Sequence, residues 1–419
     1  MKVFKFGGAS VKNAAAVRNV ATVIRKFENE QLLIVVSAMG KTTNALEQLA
    51  KAYDSGDQET MNKIYLDVKT FHDGVINELL TGNHTHAYDD IGNLFIELEC
   101  MLEMQPEHDR DTTYDQIVSY GEIISTRIVS AFLNESGIKN RWMDARNFIA
   151  TDNSYKEGRV DWNITSNMIE KKLKPIVQKQ IVVTQGFIGQ SREHLTTTLG
   201  REGSDYSAAI FAYGLGANNV TIWKDVDGVM NADPKKFTDA IKIDQLSYTQ
   251  AIEMAYYGAT VIHPKTIQPL KSKNIPLYVK SFINPEQSGT VVSNQVTEQR
   301  NPVIISKANQ VLISISSRDF SFIVEDNLSK IFHIFAEHNV KLNLMQNSAI
   351  SFSVCVENAG EQIDQLLNDL NIDYNIHTQY NLEMYTVMYY NDETVQKLIH
   401  GREQLMEQRT RNTLQMVLK

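Results

Sequence analysis

Short unbroken apolar runs recur in the N-terminal part of the chain: Leu32 to Val36, Ile181 to Val183, Val220 to Trp223 and Ile275 to Val279. They are rich in Val and Ile and lack polar alternation, the pattern of strands covered on both faces in a parallel sheet. Between the runs the period changes. Over Ala14 to Lys26, Val17, Val20, Ala21 and Ile24 stand at i, i+3, i+4 and i+7, which predicts a helix with one buried face. From Asn44 to Gln105 the pattern is helical and polar, with Tyr65, Val68, Phe71 and Val75 as its stripe and Gly82-Asn83-His84 as a break. Residues 1–297 therefore read as an α/β sandwich of three layers around a mainly parallel sheet, with 44–110 as a helical flap or subdomain beside it.

The polar stretch Asn294 to Pro302 reads as a linker. Beyond it, strand Val311–Ser317, helix Asn327–His338, strands Val340–Met345 and Ile350–Val356, helix Gly360–Leu370 and strand Ile372–His377 give the order βαββαβ of a ferredoxin-like module. The remainder repeats part of it, with Leu382 to Tyr390 as a strand, Glu393 to Gln408 as a helix and Thr413 to Leu418 as a strand.

A chain of 419 residues suggests two domains. Its 42% hydrophobic and 22% charged residues fit a folded globular protein, and a net charge of -9 without a long basic cluster argues against nucleic acid as a partner. No apolar run approaches the length of a membrane span, and Met1 leads straight into a strand, so the cytoplasm is the expected compartment. Cys100 and Cys355 lie far apart and suggest neither a disulfide framework nor a zinc site.

Five loops after strand-like runs carry polar residues. In Lys5-Phe6-Gly7-Gly8-Ala9, adjacent glycines free backbone N–H groups to close on an anion and the lysine supplies counter-charge, which suits a phosphate. Ser37 to Asn44 contains Gly40-Lys41-Thr42, but Val35 stands where a P-loop needs glycine. Ser119-Tyr120-Gly121-Glu122 puts a carboxylate near the start of an apolar helical pattern. Thr184 to Gly189 has two glycines around Phe187, a loop open to close approach by a ligand. Thr196 to Asp205 joins hydroxyls and glycines to Arg201 and Asp205 at a helix start, a set suited to carboxylate or phosphate recognition. Asp225, Asp227 and Asp233 lack the spacing of a calcium loop, His84 and His86 read as solvated, and no metal site is expected in the protein itself. Gly214-Leu215-Gly216 lacks the third glycine of a dinucleotide fingerprint.

In order, these loops resemble those of aspartokinases in the amino-acid kinase family. The family's KFGGTSV appears as Lys5 to Val11 with Ala9 for Thr, S-x-G-E as Ser119 to Glu122, TQGFIG unchanged at 184 to 189, and TTTLGRGGSD at 196 to 205 with Glu202 for Gly. Asp225-Val226-Asp227-Gly228, Asp233-Pro234, Gly258-Ala259 and Val261-Ile262-His263-Pro264 extend the likeness. It implies transfer of the γ-phosphoryl of MgATP to the side-chain carboxylate of L-aspartate, giving 4-phospho-L-aspartate for lysine, threonine and methionine synthesis. A carboxylate is already ionised at neutral pH, so no general base is needed, and catalysis reduces to positioning and charge neutralisation.

The resemblance implies Lys5 and Asp205 as catalytic, and Gly7, Gly8, Ser37, Gly203 and Ser204 as phosphate-binding. It places Arg201 on the substrate α-carboxylate, Glu122 on its α-ammonium, and Thr43 and Phe187 along the pocket, with Lys224, Asp225, Lys235 and Thr260 at the nucleotide. The C-terminal region resembles an ACT regulatory region over 302–419: one full module at about 311–378 and an abbreviated second built from 302–307 plus 382–419. An amino-acid effector, lysine or threonine, would meet Ser317, Asp319, Asn343, Asn347 and Ser348, and a homodimer is implied.

Departures gather at the nucleotide. Thr260 stands for the family's lysine, Lys224 for its threonine and Lys235 for its arginine, so Lys224 is expected to replace the charge missing at 260. Ala349 and Asn343 stand for acidic residues of the effector pocket, which weakens the case for lysine. The chain ends before a dehydrogenase domain, so the bifunctional form is not expected. Another amino-acid or carbamate kinase of this fold, and an amino-acid sensor without turnover, are the competing readings.

Overall fold

The protein is described by a computed structural model covering residues 1–81, 85–105, 108–259, 262–296, 301–319 and 321–419, without the Thr85 side chain. The chain forms two compact units, one of Met1–Val229, Lys242–Ile252 and Val261–Thr297, the other of Met230–Ile241, Glu253–Thr260 and Glu298–Lys419.

In the first unit β1 (Lys2–Phe6) runs through a short turn into α1 (Ala14–Arg25), which is capped by the Asn13 side chain accepting from the Ala16 N–H. Next come β2 (Leu32–Val36), α2 (Thr42–Ser55), α3 (Gln58–Leu79), α4 (Thr85–Glu103), α5 (Arg110–Glu135) and β3 (Asn140–Trp142). Then follow α6 (Trp162–Met168), α7 (Lys174–Val177), β4 (Ile181–Gln185), the hairpin of β5 (Ile188–Gln190) and β6 (Thr196–Thr198), α8 (Gly203–Leu215) and β7 (Asn219–Lys224). Short strands β8 (Val229–Met230) and β9 (Lys242–Ile243) precede β10 (Gln245–Ser247), α9 (Tyr248–Tyr257), α10 (Pro264–Ser272), β11 (Leu277–Ser281) and β12 (Thr290–Ser293), with Met230 and the Glu253–Tyr257 part of α9 falling in the second unit.

One sheet takes the order β10-β12-β11-β7-β1-β2-β4-β3, parallel except where β12 meets β11. Because side chains alternate between faces, the apolar runs supply two cores at once. Phe4, Phe6, Ile34 and Val36 share a core with α1 to α5, while Val3, Leu33 and Val35 are buried on the opposite face. The pairings Phe6↔Val36, Phe6↔Trp223 and Val36↔Gln185 bring the C-terminal ends of β1, β2, β4 and β7 level, so the loops that follow them open at one edge, where ligands of such sheets bind.

The helices of 44–110 contribute to this same core through Leu46, Leu49, Val68, Val75, Phe95 and Leu98. The stripe expected on α3 is rotated: Met61, Val68, His72, Val75, Ile76 and Leu79 are buried, whereas Phe71 is 38% exposed and Tyr65 only half-buried. The i, i+4, i+7 row from Val68 runs through His72, whose ring lies beside Phe95 in the interior. The expected break at Gly82-Asn83-His84 lies outside the described residues.

In the second unit β13 (Val303–Ser317), α11 (Glu325–Glu337), β14 (Leu342–Asn347), β15 (Ser351–Glu357), α12 (Glu361–Asp373) and β16 (Tyr374–Met388) realise the βαββαβ order. They are followed by α13 (Asp392–Ile399), β17 (Gln404–Arg409) and β18 (Thr413–Leu418). One antiparallel sheet results, in the order β14-β15-β13-β16-β18-β17. The long strands β13 and β16 pair along nearly their whole lengths, with register shifts between Lys307 and Gln310 and between Gln310 and Leu312. The helix expected over Glu393 to Gln408 is a correction: it ends at Ile399, Gly401 adopts a positive φ of 72°, and Gln404 to Arg409 returns as a strand against β18 with Met406 buried. Among the described residues no helix is long and apolar enough to cross a membrane.

Candidate functional site

At the level edge of the parallel sheet lies a cavity of about 1110 Å³. Its floor is built where the glycines require it. A Cβ on Gly8 would stand 2.9 Å from the Gly40 carbonyl oxygen and 3.0 Å from that of Ala38, so only glycine lets the loop after β1 press on the loop after β2. The Gly40 N–H donates to the Gly8 carbonyl at 3.1 Å across that contact. A Cβ on Gly186 would stand 2.5 Å from Cβ of Ser204, so the loop after β4 packs directly on the first turn of α8 and its backbone is not an open ligand surface.

Lys5 emerges from β1 with 8% exposure, and its Nζ lies 2.6 Å from Oδ1 of Asp205, a residue of the first turn of α8 with 3% exposure. The Lys224 Nζ, at the end of β7, lies 3.8 Å from the other carboxylate oxygen. Burial pushes the Asp205 carboxyl up, but the Lys5 and Lys224 ammonium groups outweigh it and hold it below the ordinary carboxylate range. Asp205 is thus a fixed anion that aims two cations into the cavity, beside the Gly7 and Gly8 backbone and the N-terminus of α8.

Glu122 lies well inside α5, and not near a helix start as the sequence suggested. Its side chain is 2% exposed; Oε1 accepts from the Ala38 N–H at 3.2 Å, and Oε2 has no hydrogen-bond partner among the described residues. Burial pushes this carboxyl up to about 8, against the Ala38 bond and the Lys5 charge. A buried oxygen without a partner at a cavity wall is a place for a donor or cation from the ligand. Gly121 beside it would, with a Cβ, stand 3.1 Å from Cβ of Ala38, which fixes how closely α5 approaches the β2 loop.

Thr43, Phe187, Arg201, Gly203, Ser204, Ser37 and Asp225 line the same cavity. Phe187 has a φ of 68° and its N–H donates to Ser207 Oγ at 2.8 Å; the Ser37 carbonyl accepts from Ser125 Oγ at 2.7 Å. Glu202, at the glycine position of the motif, carries a φ of 54°, a left-handed conformation costly for glutamate. Lys235 belongs to the second unit, and Thr260 lies outside the described residues.

The sequence reading missed Glu47, Lys51 and Asp54, which line the cavity from one face of α2, and Arg110, Tyr114, Lys156, Glu157 and Glu202. The i, i+4, i+7 spacing of the α2 trio was a readable signal. Lys156 and Glu157 gave none, because a loop distant in sequence brings them in.

In the second unit, strand register sets Ser317 and Asn347 at one end of the sheet. The Ser317 hydroxyl is bonded to the Asp319 carboxylate and lies 2.8 Å from Ser321 Oγ; Asn347 and Ser348 are exposed. Asn343, the fifth residue of the expected effector set, is placed apart from these. It lies four residues back along β14, roughly 13 Å from Asn347 at strand rise, and its amide is occupied by Lys307 Nζ and Gln310 Oε1, each at 2.7 Å.

These features define a phosphoryl-handling α/β protein with a site for a small ionised acceptor. The amino acid kinase family matches residues 1–281. The lysine-sensitive aspartokinase 3 of Escherichia coli K12 is 31% identical over 85% of this chain and 78% of its own length. Among solved structures, E. coli aspartokinase III in complex with lysine and aspartate, in the T-state, superposes with a TM-score of 0.85 at 26% identity, covering 100% of this chain and 95% of that one. The same enzyme in complex with aspartate and ADP, in the R-state, gives 0.81 at 26% identity, covering 100% and 96%. The chain belongs to the amino acid kinase family, in its aspartokinase branch.

Proposed function

We propose that this chain is an aspartate kinase, transferring the γ-phosphoryl of ATP to the side-chain carboxylate of L-aspartate to give 4-phospho-L-aspartate, the first step towards lysine, threonine and methionine. The observation that carries this reading is the convergence, in one cavity, of the Lys5–Asp205 pair with the buried Glu122 carboxylate and Arg201. The nucleophile arrives ionised, so the protein's task is to bring two anions together. Lys5 Nζ and the Gly7 and Gly8 amides take the charge of the transferred group, with Asp205 fixing the lysine. Glu122 Oε2 receives the substrate ammonium and Arg201 its α-carboxylate, an arrangement suited to the planar fork of arginine.

Lys224 and Asp225 face the nucleotide in this reading. Mg²⁺ is bound through one or two carboxylates together with substrate phosphates; Asp225 is the lining residue that would touch it, and the ion would neutralise phosphate charge. In the second unit, an amino-acid effector would meet the sheet end that carries Ser317, Asp319, Asn347 and Ser348, and two chains would associate as a homodimer. The test of the reaction is ATP-dependent acyl-phosphate formation, trapped by hydroxylamine, with aspartate against a panel of acetylglutamate, carbamate and UMP. Aspartate alone should give hydroxamate with matching ADP release; no product with aspartate, or faster turnover of another acceptor, refutes the proposal.

A further inference from the structure

A second buried carboxylate, Asp115, plays no part in the reaction outlined above. It sits on α5 with no exposure, feels the Lys156 charge, and accepts three hydrogen bonds, from the loop at Lys156 and from the end of β6 where it passes into the loop at Arg201. Oδ2 accepts from the Lys156 N–H at 2.9 Å and the Thr198 N–H at 2.9 Å, and Oδ1 accepts from the Thr198 hydroxyl at 2.7 Å. Both loops then run to the cavity wall, one through Lys156 and Glu157, the other through Gly200 and Arg201.

The loops also lock to one another. The Gly158 N–H donates to the Thr198 carbonyl at 2.8 Å, and a Cβ on Gly200, whose φ is 76°, would stand 3.3 Å from the Lys156 carbonyl oxygen. Neighbours of Asp115 on α5 reinforce the grip. Asp111 pairs with the Lys156 ammonium, which also lies 5.0 Å from the Tyr114 ring centroid, and Gln116 exchanges two hydrogen bonds with the Thr196 backbone at 2.9 and 3.2 Å. Lys156 itself is held at a φ of 63°, a left-handed conformation that costs a non-glycine residue free energy and persists only where its surroundings over-determine it.

Asp115 and Glu122 are seven residues apart and so share one face of α5, about 10 Å apart along its axis. One helix therefore carries Glu122 directly and, through the Asp115–Thr198 bonds, fixes where β6 ends and the loop to Arg201 begins. We propose that Asp115 is a positioning residue for the acceptor subsite: it sets the separation of Arg201 from Glu122 and so the affinity for the amino-acid substrate. This rests on the reading of Glu122 and Arg201 as the two ends of that subsite. Asp115 touches neither substrate nor nucleotide, so its loss acts on binding of the amino acid and leaves the phosphoryl cradle at Lys5, Gly7 and Gly8 in place.

The experiment compares the full chain with Asp115→Ala and Asp115→Asn, measuring KM for aspartate, KM for ATP, kcat and aspartate binding by calorimetry without nucleotide. The Ala variant should raise the aspartate KM and Kd about tenfold or more, the loss expected when hydrogen bonds to a charged acceptor are removed, with ATP KM and kcat changed by less than about threefold. The Asn variant should restore both aspartate constants to near the parent values. Its amide oxygen accepts the two backbone N–H bonds, and its NH2 donates to the Thr198 hydroxyl. Should Asp115→Ala fail to fold, Thr198→Val removes one of the three bonds and should raise the aspartate constants a few-fold. Unchanged aspartate constants in the variant that folds, a loss falling on kcat alone, or an Asn variant as weak as the Ala variant would each overturn the inference. A parent chain that binds aspartate without phosphorylating it overturns the proposed reaction instead, and calorimetry still reads the clamp.

Discussion

Burial pushes the Glu122 carboxyl up to about 8, which favours its protonated form at neutral pH while the cavity holds no ligand. In the proposed function Glu122 takes up the substrate ammonium as a carboxylate, so binding at pH 7 would expel that proton. Aspartate affinity should therefore improve as pH rises, up to about tenfold per unit below pH 8, and level off above it. Glu122→Gln removes the titrating group: aspartate KM should rise about 30-fold or more, the cost of losing one partner of a buried charge pair, and become insensitive to pH between 6 and 8. A Gln variant that keeps the parent pH profile would assign the titration elsewhere. In the proposed reaction Lys5 serves the transferred group rather than the acceptor, with Asp205 holding its ammonium at 2.6 Å. Lys5→Met should lower kcat about 10²–10³-fold while aspartate binding by calorimetry stays within about threefold; equal loss of both would make Lys5 a binding residue.

At the scale of the element, α3 carries a histidine that only the fold explains. The His72 ring is fully buried, its Nδ1–H donates to the Val68 carbonyl at 2.7 Å, and Nε2 has no hydrogen-bond partner among the described residues. Burial, opposed by that bond, lowers its pKa from 6.5 to about 4. Above pH 6.5 folded and unfolded chains are both neutral here and His72 carries no linkage cost. Between 6.5 and 4 the unfolded chain takes up a proton that the folded one refuses, so stability is lost as pH falls, by up to about 3 kcal/mol. Urea midpoints at pH 7 and pH 5 should differ clearly less in His72→Leu than in the parent chain; an equal difference would show that other groups carry it. The same residue shows where sequence patterning misleads. The stripe through Phe71 ranks residues by side-chain polarity, but a neutral imidazole packs as an aromatic plate, and only the neighbouring helix decides which residue of the pair turns inward. By contrast β2 is legible because all five of its residues are apolar and all five are buried. The end of α13 was less so, since the helical and strand periods of Glu393 to Gln408 overlap and only Gly401 separates them. Lys5, Glu122, Arg201 and Asp205 were readable because each stands in a compact motif. Asp115 was not, because its partners Lys156 and Thr198 are 41 and 83 residues away in the chain.

Across the whole molecule, the proposed regulation would turn on what the second unit can bind, and charge limits the choice. Lysine brings two ammonium groups and one carboxylate, and an ammonium removed from water is tolerated only against an anion. At the sheet end that carries Ser317, Asn347 and Ser348, the Asp319 carboxylate is already bonded to Ser317 and to the Ser321 N–H. Position 349 is alanine, and Asn343 is engaged by Lys307 and Gln310 farther along the sheet. A neutral side chain needs only one carboxylate for its α-ammonium, which Asp319 can offer, with Ser317 and Ser348 hydroxyls for a polar tip. In the hydroxamate assay at subsaturating aspartate, threonine should therefore inhibit at lower concentration than lysine, and Asp319→Asn should abolish the inhibition without changing kcat in its absence. Introducing Ala349→Glu should shift the preference towards lysine, because it supplies the second anion. Lysine acting more strongly than threonine on the parent chain would mean that the effector is held by groups other than these.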